Sequence, residues 1–215
     1  MMCGAIRRLL AVTSAVSAFA ASATESAPIV LIGDSMSVQW WVACMDWDRS
    51  GRPEPCTPYT LRVQDRIDAR VTAVAGSTMV AWAVGWHPIG NVNGAVVHFM
   101  LGSNDAGMGV PPYLYGNAIH SLTDALYAAG AVSVWMTPSP RRYDGRVPME
   151  VQEQIHDTAL IACAERGNLT CASDPWEYLH EEHFPIDGVH PGDEASELLS
   201  RHLLRSLRRG SQLRQ

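Results

Sequence analysis

Residues 28–35 read PIVLIGDS, an apolar run that ends directly in a glycine, an aspartate and a serine. Continuous apolar runs of this length are typical of strands that are buried on both faces of a parallel sheet. The run at 28–32 is the first of five candidate strands, and the others lie at 71–75, 95–101, 132–136 and 169–172. Ligands bind beyond the carboxyl ends of the strands in such sheets, so the residues after each run are the first candidates for chemistry.

Amphipathic segments alternate with these runs and follow the last one. Apolar side chains recur at helical spacing in the segments 119–129, 151–162 and 195–203. Pro191 and Gly192 precede the last of these helices, which carries acids in its first turn and arginines near its end. Strands that alternate with helices predict an α/β fold, with a mostly parallel sheet and helices on both of its faces.

The polar residues that follow the runs form a consistent set. Ser35 follows the first run, Gly76 the second and Asn104 the third, while Asp187 and His190 lie shortly before the last helix. Because the carboxyl ends of parallel strands share one edge, we expect these five residues to lie together. The set suits acyl transfer, in which a histidine takes the proton of a serine hydroxyl and an aspartate holds the imidazole. The amides of Ser35 and Gly76 and the side chain of Asn104 are candidate donors to an oxyanion.

Four short blocks carry a resemblance to a known family. They are GDS at 33–35, Gly76, GSND at 102–105 and DGVH at 187–190, in that order along the chain. With these blocks the sequence resembles the SGNH hydrolases, also called GDSL esterases, over nearly all of the chain from Pro28 onward. The first block continues as GDSMS, where many members have small and apolar residues. This departure leaves the shape of the acyl pocket open.

The resemblance implies a fold, a site and a cofactor requirement. The implied fold is a three-layer αβα sandwich with a flavodoxin-like, mostly parallel, five-stranded sheet. The implied catalytic triad is Ser35, His190 and Asp187, and the implied oxyanion hole is lined by Ser35, Gly76 and Asn104. Members of the family use no metal ion and no organic cofactor, so neither is expected here.

Each block also has a simpler interpretation on its own. Ser35 is suited to cap a helix, and Asp187 with His190 to form a surface turn. Asn104 and Asp105 are suited to form a turn as well, and Asp105 is left out of the predicted site. The rival serine hydrolase fold, the α/β-hydrolase, requires G-x-S-x-G around its nucleophile, and a serine takes the place of the last glycine here.

Two further histidine-containing segments are assigned no catalytic role. His98 lies in the middle of a candidate strand and is expected to be a hydrogen-bonded core residue. The segment 180–183 reads HEEH, which lacks the H-E-x-x-H spacing of a zinc site. A solvated charged loop is the expected structure there.

The amino-terminal residues have the pattern of an export signal. Two arginines precede an apolar run at 9–20, and A-x-A sites follow, so we predict a signal peptide at 1–23 and a mature domain at 24–215. The run is shorter than the ~20 residues that span a bilayer, so no stable membrane anchor is expected, and an uncleaved anchor is the alternative. The expected location is secreted or periplasmic.

Four cysteines remain after the predicted signal peptide. An even number of cysteines in an exported chain predicts disulfide bonds rather than a metal site or free thiols. Four cysteines allow three pairings, and proximity along the sequence favours Cys44 with Cys56 and Cys163 with Cys171. The first pair would staple a proline-rich loop at 40–58.

Composition excludes several classes of protein. All 16 basic residues are arginine, and a chain without lysine can neither form a Schiff base nor supply the lysine of a P-loop. The net charge of −6 argues against a nucleic-acid partner, which would require a clustered basic surface. Serine, histidine, aspartate and metal chemistry remain open.

The substrate is the least constrained part of the prediction. Five of the seven tryptophans lie between positions 40 and 86, and exposed aromatic rings suit sugars as well as acyl or aryl groups. Core packing explains these rings equally well. We expect a secreted serine esterase that hydrolyses small-molecule or carbohydrate esters. Carbohydrate O-acetyl esters are the first candidate substrates. The alternatives are an acyltransferase that acts on sugars and a catalytically silent carbohydrate-binding protein. The acidic charge disfavours anionic substrates, unless Arg141 and Arg142 offset it.

Overall fold

A computed structural model describes residues 28–39 and 43–212. The predicted signal peptide at 1–23, together with Trp40 and Trp41, lies outside these described residues. In chain order the main elements are β1 (Ile29–Gly33), β2 (Met45–Trp47), β3 (Pro53–Pro55), α1 (Tyr59–Gln64), β4 (Ala69–Ala73), α2 (Met79–Ala83), β5 (Val96–Leu101), α3 (Ser103–Gly107), α4 (Pro112–Ala128), β6 (Ser133–Pro138), α5 (Met149–Glu165), β7 (Leu169–Cys171) and α6 (Asp193–Gln212).

Five parallel strands form the central sheet in the order β4-β1-β5-β6-β7. This is the order of a flavodoxin-like doubly wound sheet, and it confirms the predicted α/β sandwich. The strand order reverses at β1, which pairs with β4 on one side and β5 on the other. Ligands bind in such sheets at this switch point, beyond the carboxyl ends of the strands.

Alternate residues of β1 face two different cores. Val30 and Ile32 belong to an apolar cluster that includes residues of α2, α4 and α5. Leu31 belongs to a second cluster, which includes residues of α1 and α6. The sheet is therefore buried on both faces, which explains why its strands read as continuous apolar runs rather than as alternating ones.

All five predicted strands are present, but β4 lies two residues earlier than the predicted range of 71–75. The carbonyl of Val74 accepts a hydrogen bond from the Ser77 N–H at 3.1 Å, which closes a turn before the apolar run is complete. Gly76 lies in this turn with a φ of 76°, a conformation that favours glycine. The backbone conformation thus requires a glycine at this position.

The segment 40–58, predicted as a loop, contains the short antiparallel hairpin of β2 and β3. A disulfide between Cys44 and Cys56 closes this hairpin, and a second between Cys163 and Cys171 joins α5 to β7. These are the pairings that proximity favours. Within the part of the chain that the structure describes, no helix has the length and apolar character needed to cross a bilayer.

Candidate active site

Ser35 lies in a tight turn directly after β1. The carbonyl of Asp34 accepts a hydrogen bond from the Ser37 N–H at 3.0 Å, and the Asp34 Oδ1 accepts one from the Met36 N–H at 3.0 Å. Asp34, Met36 and Ser37 are buried, whereas Ser35 is half-buried. The turn therefore fixes the neighbours of Ser35 in the interior and leaves its side chain accessible at the carboxyl edge of the sheet.

The loop before α6 returns to Ser35 and brings the predicted histidine to it. The Nε2 of His190 lies 2.9 Å from the Oγ of Ser35, and its Nδ1 lies 2.7 Å from the Oδ2 of Asp187. The Oδ1 of Asp187 also accepts hydrogen bonds from the backbone N–H groups of Val189 and His190, at 2.9 and 2.8 Å. Burial raises the pKa of Asp187, but these hydrogen bonds outweigh it and lower the pKa to about 2. Asp187 is thus ionised at neutral pH and orients the imidazole.

The hairpin of β2 and β3 braces the loop that carries His190. The Oδ2 of Asp46 accepts a hydrogen bond from the Asp193 N–H at 3.1 Å, just after the histidine. The indole Nε1 of Trp47 donates to the carbonyl of Pro185 at 3.1 Å, just before Asp187. The disulfide-closed hairpin therefore contacts the loop on both sides of the candidate triad residues.

A second brace comes from the loop between β6 and α5. The Tyr143 N–H donates to the Gly188 carbonyl at 2.6 Å, and the Arg142 Nη1 donates to the Ser103 carbonyl at 3.3 Å. Arg142 also pairs with the half-buried Asp144 at 2.6 Å. Gly188 has a φ of 70°, and a Cβ there would lie 2.6 Å from the Asp144 nitrogen, so the close approach requires a glycine. We call the segment 141–144 the strap, because it joins the loop of His190 to α3.

Two of the three predicted oxyanion donors, Gly76 and Asn104, follow the strands that flank β1. Gly76 follows β4, and Asn104 lies in α3 directly after β5. The Nδ2 of Asn104 donates to the carbonyl of Ser77 at 3.0 Å and to the Oδ2 of Asp34 at 3.3 Å. The backbone N–H groups of Ser35 and Gly76 donate to no other group among the described residues, so both are available to a bound oxygen.

Two buried carboxyl groups next to the site were not predicted. Asp34 is fully buried, and burial raises its pKa to about 7. Asp105 is also fully buried, and burial raises its pKa to about 6. Its Oδ2 accepts a hydrogen bond from the Met79 N–H at 2.8 Å, which lowers the pKa by less than burial raises it. Asp105 therefore joins α3 to the start of α2 rather than forming a solvated turn. The signal for both was their position inside the blocks that contain Ser35 and Asn104.

The other histidine predictions agree with the structure. His98 is 1% exposed, and its Nε2 lies 2.8 Å from the Oγ1 of Thr137. Burial lowers the pKa of His98 to about 3, so the ring is neutral. Part of the HEEH segment forms a 3₁₀ helix, Glu181–His183, with no buried residue. It is a surface element, as expected.

The aromatic and arginine residues that the sequence associated with the substrate have different environments. Trp82 is buried in the core, whereas Trp47 and Trp86 are 49% and 77% exposed. Arg141 lies over the ring of Trp176, with its guanidinium carbon 4.3 Å from the ring centroid. Arg142 is already paired in the strap, so its charge is not free to attract an anionic substrate.

One group of three candidate metal ligands lies together in the described part of the chain. It consists of Cys44, Cys56 and Asp193. The disulfide bond occupies both sulfur atoms, so neither cysteine can act as a thiolate ligand.

A doubly wound sheet with a serine, a histidine and an aspartate in hydrogen-bond contact beyond β1 defines a serine hydrolase that acts on ester bonds. The chain belongs to the GDSL-like lipase/acylhydrolase family, whose sequence profile matches residues 31–198. Comparison with curated protein sequences gives no match.

Solved structures of several hydrolases share the fold. LAE5, an alpha/beta hydrolase enzyme from the metagenome of Lake Arreo in Spain, has a TM-score of 0.62 at 15% identity, over 84% of this chain and 94% of its own. A lipase/acylhydrolase from Enterococcus faecalis has a TM-score of 0.62 at 18% identity, over 83% and 93%. A family 3 carbohydrate esterase from Talaromyces cellulolyticus has a TM-score of 0.58 at 16% identity, over 85% and 96%.

Proposed function

We propose that the protein hydrolyses carboxylic esters through an acyl intermediate on Ser35. The observation that carries this proposal is the continuous hydrogen-bond chain from the Ser35 Oγ to His190 and on to Asp187, with lengths of 2.9 and 2.7 Å. A serine hydroxyl is a weak nucleophile until a base within this distance takes its proton. His190 is that base, and Asp187 stabilises the imidazolium that forms.

The reaction then has two halves. The Ser35 Oγ attacks the ester carbonyl while its proton moves to the Nε2 of His190, and the tetrahedral intermediate expels the alcohol, which takes that proton. In the second half, His190 takes a proton from water, the water oxygen attacks the acyl carbonyl, and the carboxylic acid leaves with the Ser35 oxygen reprotonated. The ionised state of Asp187 at neutral pH supports both halves, since each passes through a protonated histidine.

The developing oxyanion is stabilised by the N–H groups of Ser35 and Gly76 and by the side-chain amide of Asn104. Support for the first two comes from their lack of another acceptor among the described residues. Asn104 holds its Nδ2 in place by a bond to the Ser77 carbonyl at 3.0 Å, and the hydrogen that it donates to Asp34 at 3.3 Å is the one that would turn to the oxyanion. Donors that are fixed before the reaction, as the two backbone N–H groups are, need no reorganisation in the transition state.

A fluorophosphonate probe tests the nucleophile directly. We expect the probe to modify Ser35, which peptide mapping would locate, and we expect Ser35→Ala to lose both labelling and ester cleavage. Ser37→Ala is the matched control in the same DSMS segment, because the Ser37 Oγ is buried against the Tyr59 hydroxyl and should not react. An unlabelled wild type, or an active Ser35→Ala variant, would refute the proposal.

The acyl group and alcohol are proposed to be those of an acetylated carbohydrate. Two exposed tryptophans, Trp47 and Trp86, support this, and Trp47 contacts the loop of the candidate triad. The fold shared with the Talaromyces carbohydrate esterase is compatible with it. Acetate release from acetylated xylan should exceed release from a long-chain acyl ester, and the reverse order would exclude the assignment. Transfer of acetyl to added sugar instead of water would identify an acyltransferase.

We also propose that the protein is exported. The two disulfide bonds support this, because such bonds persist in oxidising compartments. Expression of the full chain followed by amino-terminal sequencing of the extracellular or periplasmic product tests it. The expected new terminus is residue 24, and a product that retains residues 1–23 in the cytoplasm would contradict the proposal.

A further inference from the structure

The second half of α6 carries a cluster of arginines that face one groove. The groove encloses about 450 Å³ and lies between α6 and the end of α1. Its lining residues are Arg66, Arg201, Leu204, Arg205, Arg208 and Arg209. We call this surface the arginine groove. Five positive charges therefore surround one concave surface in a chain whose net charge is −6.

The spacing of these arginines is unfavourable for the helix itself. Arg201, Arg205 and Arg209 are four residues apart, so their side chains are neighbours on one helical face. Like charges at this spacing destabilise a helix. Glu197 pairs with Arg66 at 3.1 Å and with Arg201 at 3.4 Å. The guanidinium groups of Arg205 and Arg209 have no such partner among the described residues.

Attraction to the helix dipole does not explain the cluster. The dipole stabilises cations only in the last turn, and Arg209 is the basic residue in the last turn of α6. Arg201 and Arg205 lie earlier in the helix. Their charge also acts on His202, whose pKa is lowered by burial first and then by Arg205 and Arg201. The carboxylate of Glu197 therefore leaves the charges of Arg205 and Arg209 uncompensated at the groove.

We propose that the arginine groove binds a phosphate-bearing anion. A guanidinium group can donate two parallel hydrogen bonds to two oxygens of one phosphate group. Several guanidinium groups around a concave surface therefore suit a ligand that presents several phosphate oxygens. The volume falls in the range of small-ligand sites. The nine residues from Arg201 to Arg209 span about 12 Å along the helix, which accommodates two phosphate groups.

The arginine groove is remote from the candidate triad. Arg205 lies about 18 Å along α6 from Asp193, which follows His190 by three residues. A ligand in the groove would therefore leave Ser35 accessible. The same chemistry is present in a soluble phosphate ester and in the headgroup of an anionic phospholipid, and in the second case the enzyme would lie on a lipid surface with its site facing away.

Calorimetric titration of the full-length protein with inorganic pyrophosphate tests the proposal. We expect saturable binding that weakens about tenfold or more in the double variant Arg205→Gln/Arg209→Gln, because each lost charged hydrogen bond accounts for roughly that factor. The matched control is Arg49→Gln/Arg146→Gln, which removes the same charge from two exposed positions outside the arginine groove. It should bind as the wild type does. Hydrolysis of a small ester should be unchanged in both variants, which shows that they are folded.

Flotation with vesicles distinguishes the two sources of phosphate. If the protein binds pyrophosphate and also binds phosphatidylglycerol vesicles but not phosphatidylcholine vesicles, the result supports a lipid headgroup as the ligand. If it binds pyrophosphate but neither kind of vesicle, the result supports a soluble phosphate ester. Both should weaken steeply as salt rises from about 50 to about 200 mM. The proposal is overturned if neither probe binds, if both double variants lose binding equally, or if an acidic polysaccharide without phosphate binds and pyrophosphate does not.

Discussion

Replacing Asp34 with asparagine should raise stability at neutral pH and lower activity. Asp34 is fully buried beside Ser35, and it accepts hydrogen bonds from the Met36 N–H and the Asn104 side chain. Burial raises its pKa from 3.8 to about 7. The folded protein therefore retains this proton over a pH range in which the unfolded chain has lost it. Stability from this group is present below about pH 4 and is lost as pH rises towards 7.

The size of the effect follows from the shift in pKa. At about 1.4 kcal/mol per unit, the change from 3.8 to about 7 corresponds to about 4 kcal/mol of unfolding free energy. An asparagine has no charge to bury, so the unfolding free energy of the variant should not fall with pH for this reason. Its amide nitrogen would, however, face the Nδ2 of Asn104, since both are donors. Displacement of Asn104 should lower kcat by about tenfold or more.

Urea unfolding from about pH 4 to pH 8 provides the measurement. The unfolding free energy of Asp34→Asn minus that of the wild type should increase across this range, by up to about 4 kcal/mol. The titration of His98 is common to both proteins and cancels in the difference, whereas the charge of Asp105 contributes to the raised pKa of Asp34 and is part of the effect that is measured. Asp68→Asn, at an exposed position, measures the background for the same substitution. A difference that is independent of pH, or that falls with pH, would refute the argument.

Three further predictions concern the oxyanion donors, a disulfide and the strap. Asn104→Ala should lower kcat by about 10² to 10³ with a smaller change in KM, because the donor acts on the transition state, and steady-state kinetics would measure this. Cys163→Ser/Cys171→Ser should lower the unfolding free energy by about 2 to 3 kcal/mol in chemical denaturation, because the bond closes a loop of 8 residues. Arg142→Gln should lower both the unfolding free energy, by about 1 to 2 kcal/mol, and kcat, because it removes the main partner of the half-buried Asp144 and releases α3 from the strap.

These three predictions have distinct controls. Asn117→Ala, on the exposed side of α4, should leave kcat unchanged, and an equal loss there would show that the effect of Asn104→Ala is not local. Ester hydrolysis should survive removal of the second disulfide, which lies on α5 and β7. Arg146→Gln, at a position whose side chain is 85% exposed, should leave both stability and kcat unchanged. A stable Arg142→Gln protein with normal kcat would contradict the role of the strap.

The five strands of a mostly parallel sheet and the edge of the sheet that carries chemistry could be predicted from local sequence, whereas the flavodoxin-like arrangement was implied only by the family resemblance. Buried parallel strands are continuous apolar runs, and Ser35, Gly76 and Asn104 follow three of them directly. The second strand was misplaced by two residues because Val74 is apolar but belongs to the turn at Gly76. The hairpin was missed because two of the three residues in β3 are prolines, which rarely occur in strands.

The supports of the site could not be predicted, because they depend on contacts between segments that are distant in sequence. Asp34 and Asp105 have the local pattern of turn residues, and only the packing of neighbouring strands makes them buried. The bond from Tyr143 to the carbonyl of Gly188 joins two loops that have no shared pattern. The sequence therefore predicts the groups that are proposed to react but not the groups that restrain them.

The turn of Ser35 and the loop of His190 are restrained in different ways. The turn that contains Ser35 is restrained by bonds within the turn and by the buried contacts of Asp34 with Asn104 and of Ser37 with Tyr59. The loop of His190 is restrained by the hairpin and the strap, through bonds that join Trp47 and Tyr143 to positions far along the chain. Because the local bonds of Asp187 fix only the turn at 187–190 and not its position over Ser35, loss of either brace should change the distance between His190 and Ser35 before it unfolds the sheet. Catalysis is therefore expected to be lost at lower denaturant concentration than the fold.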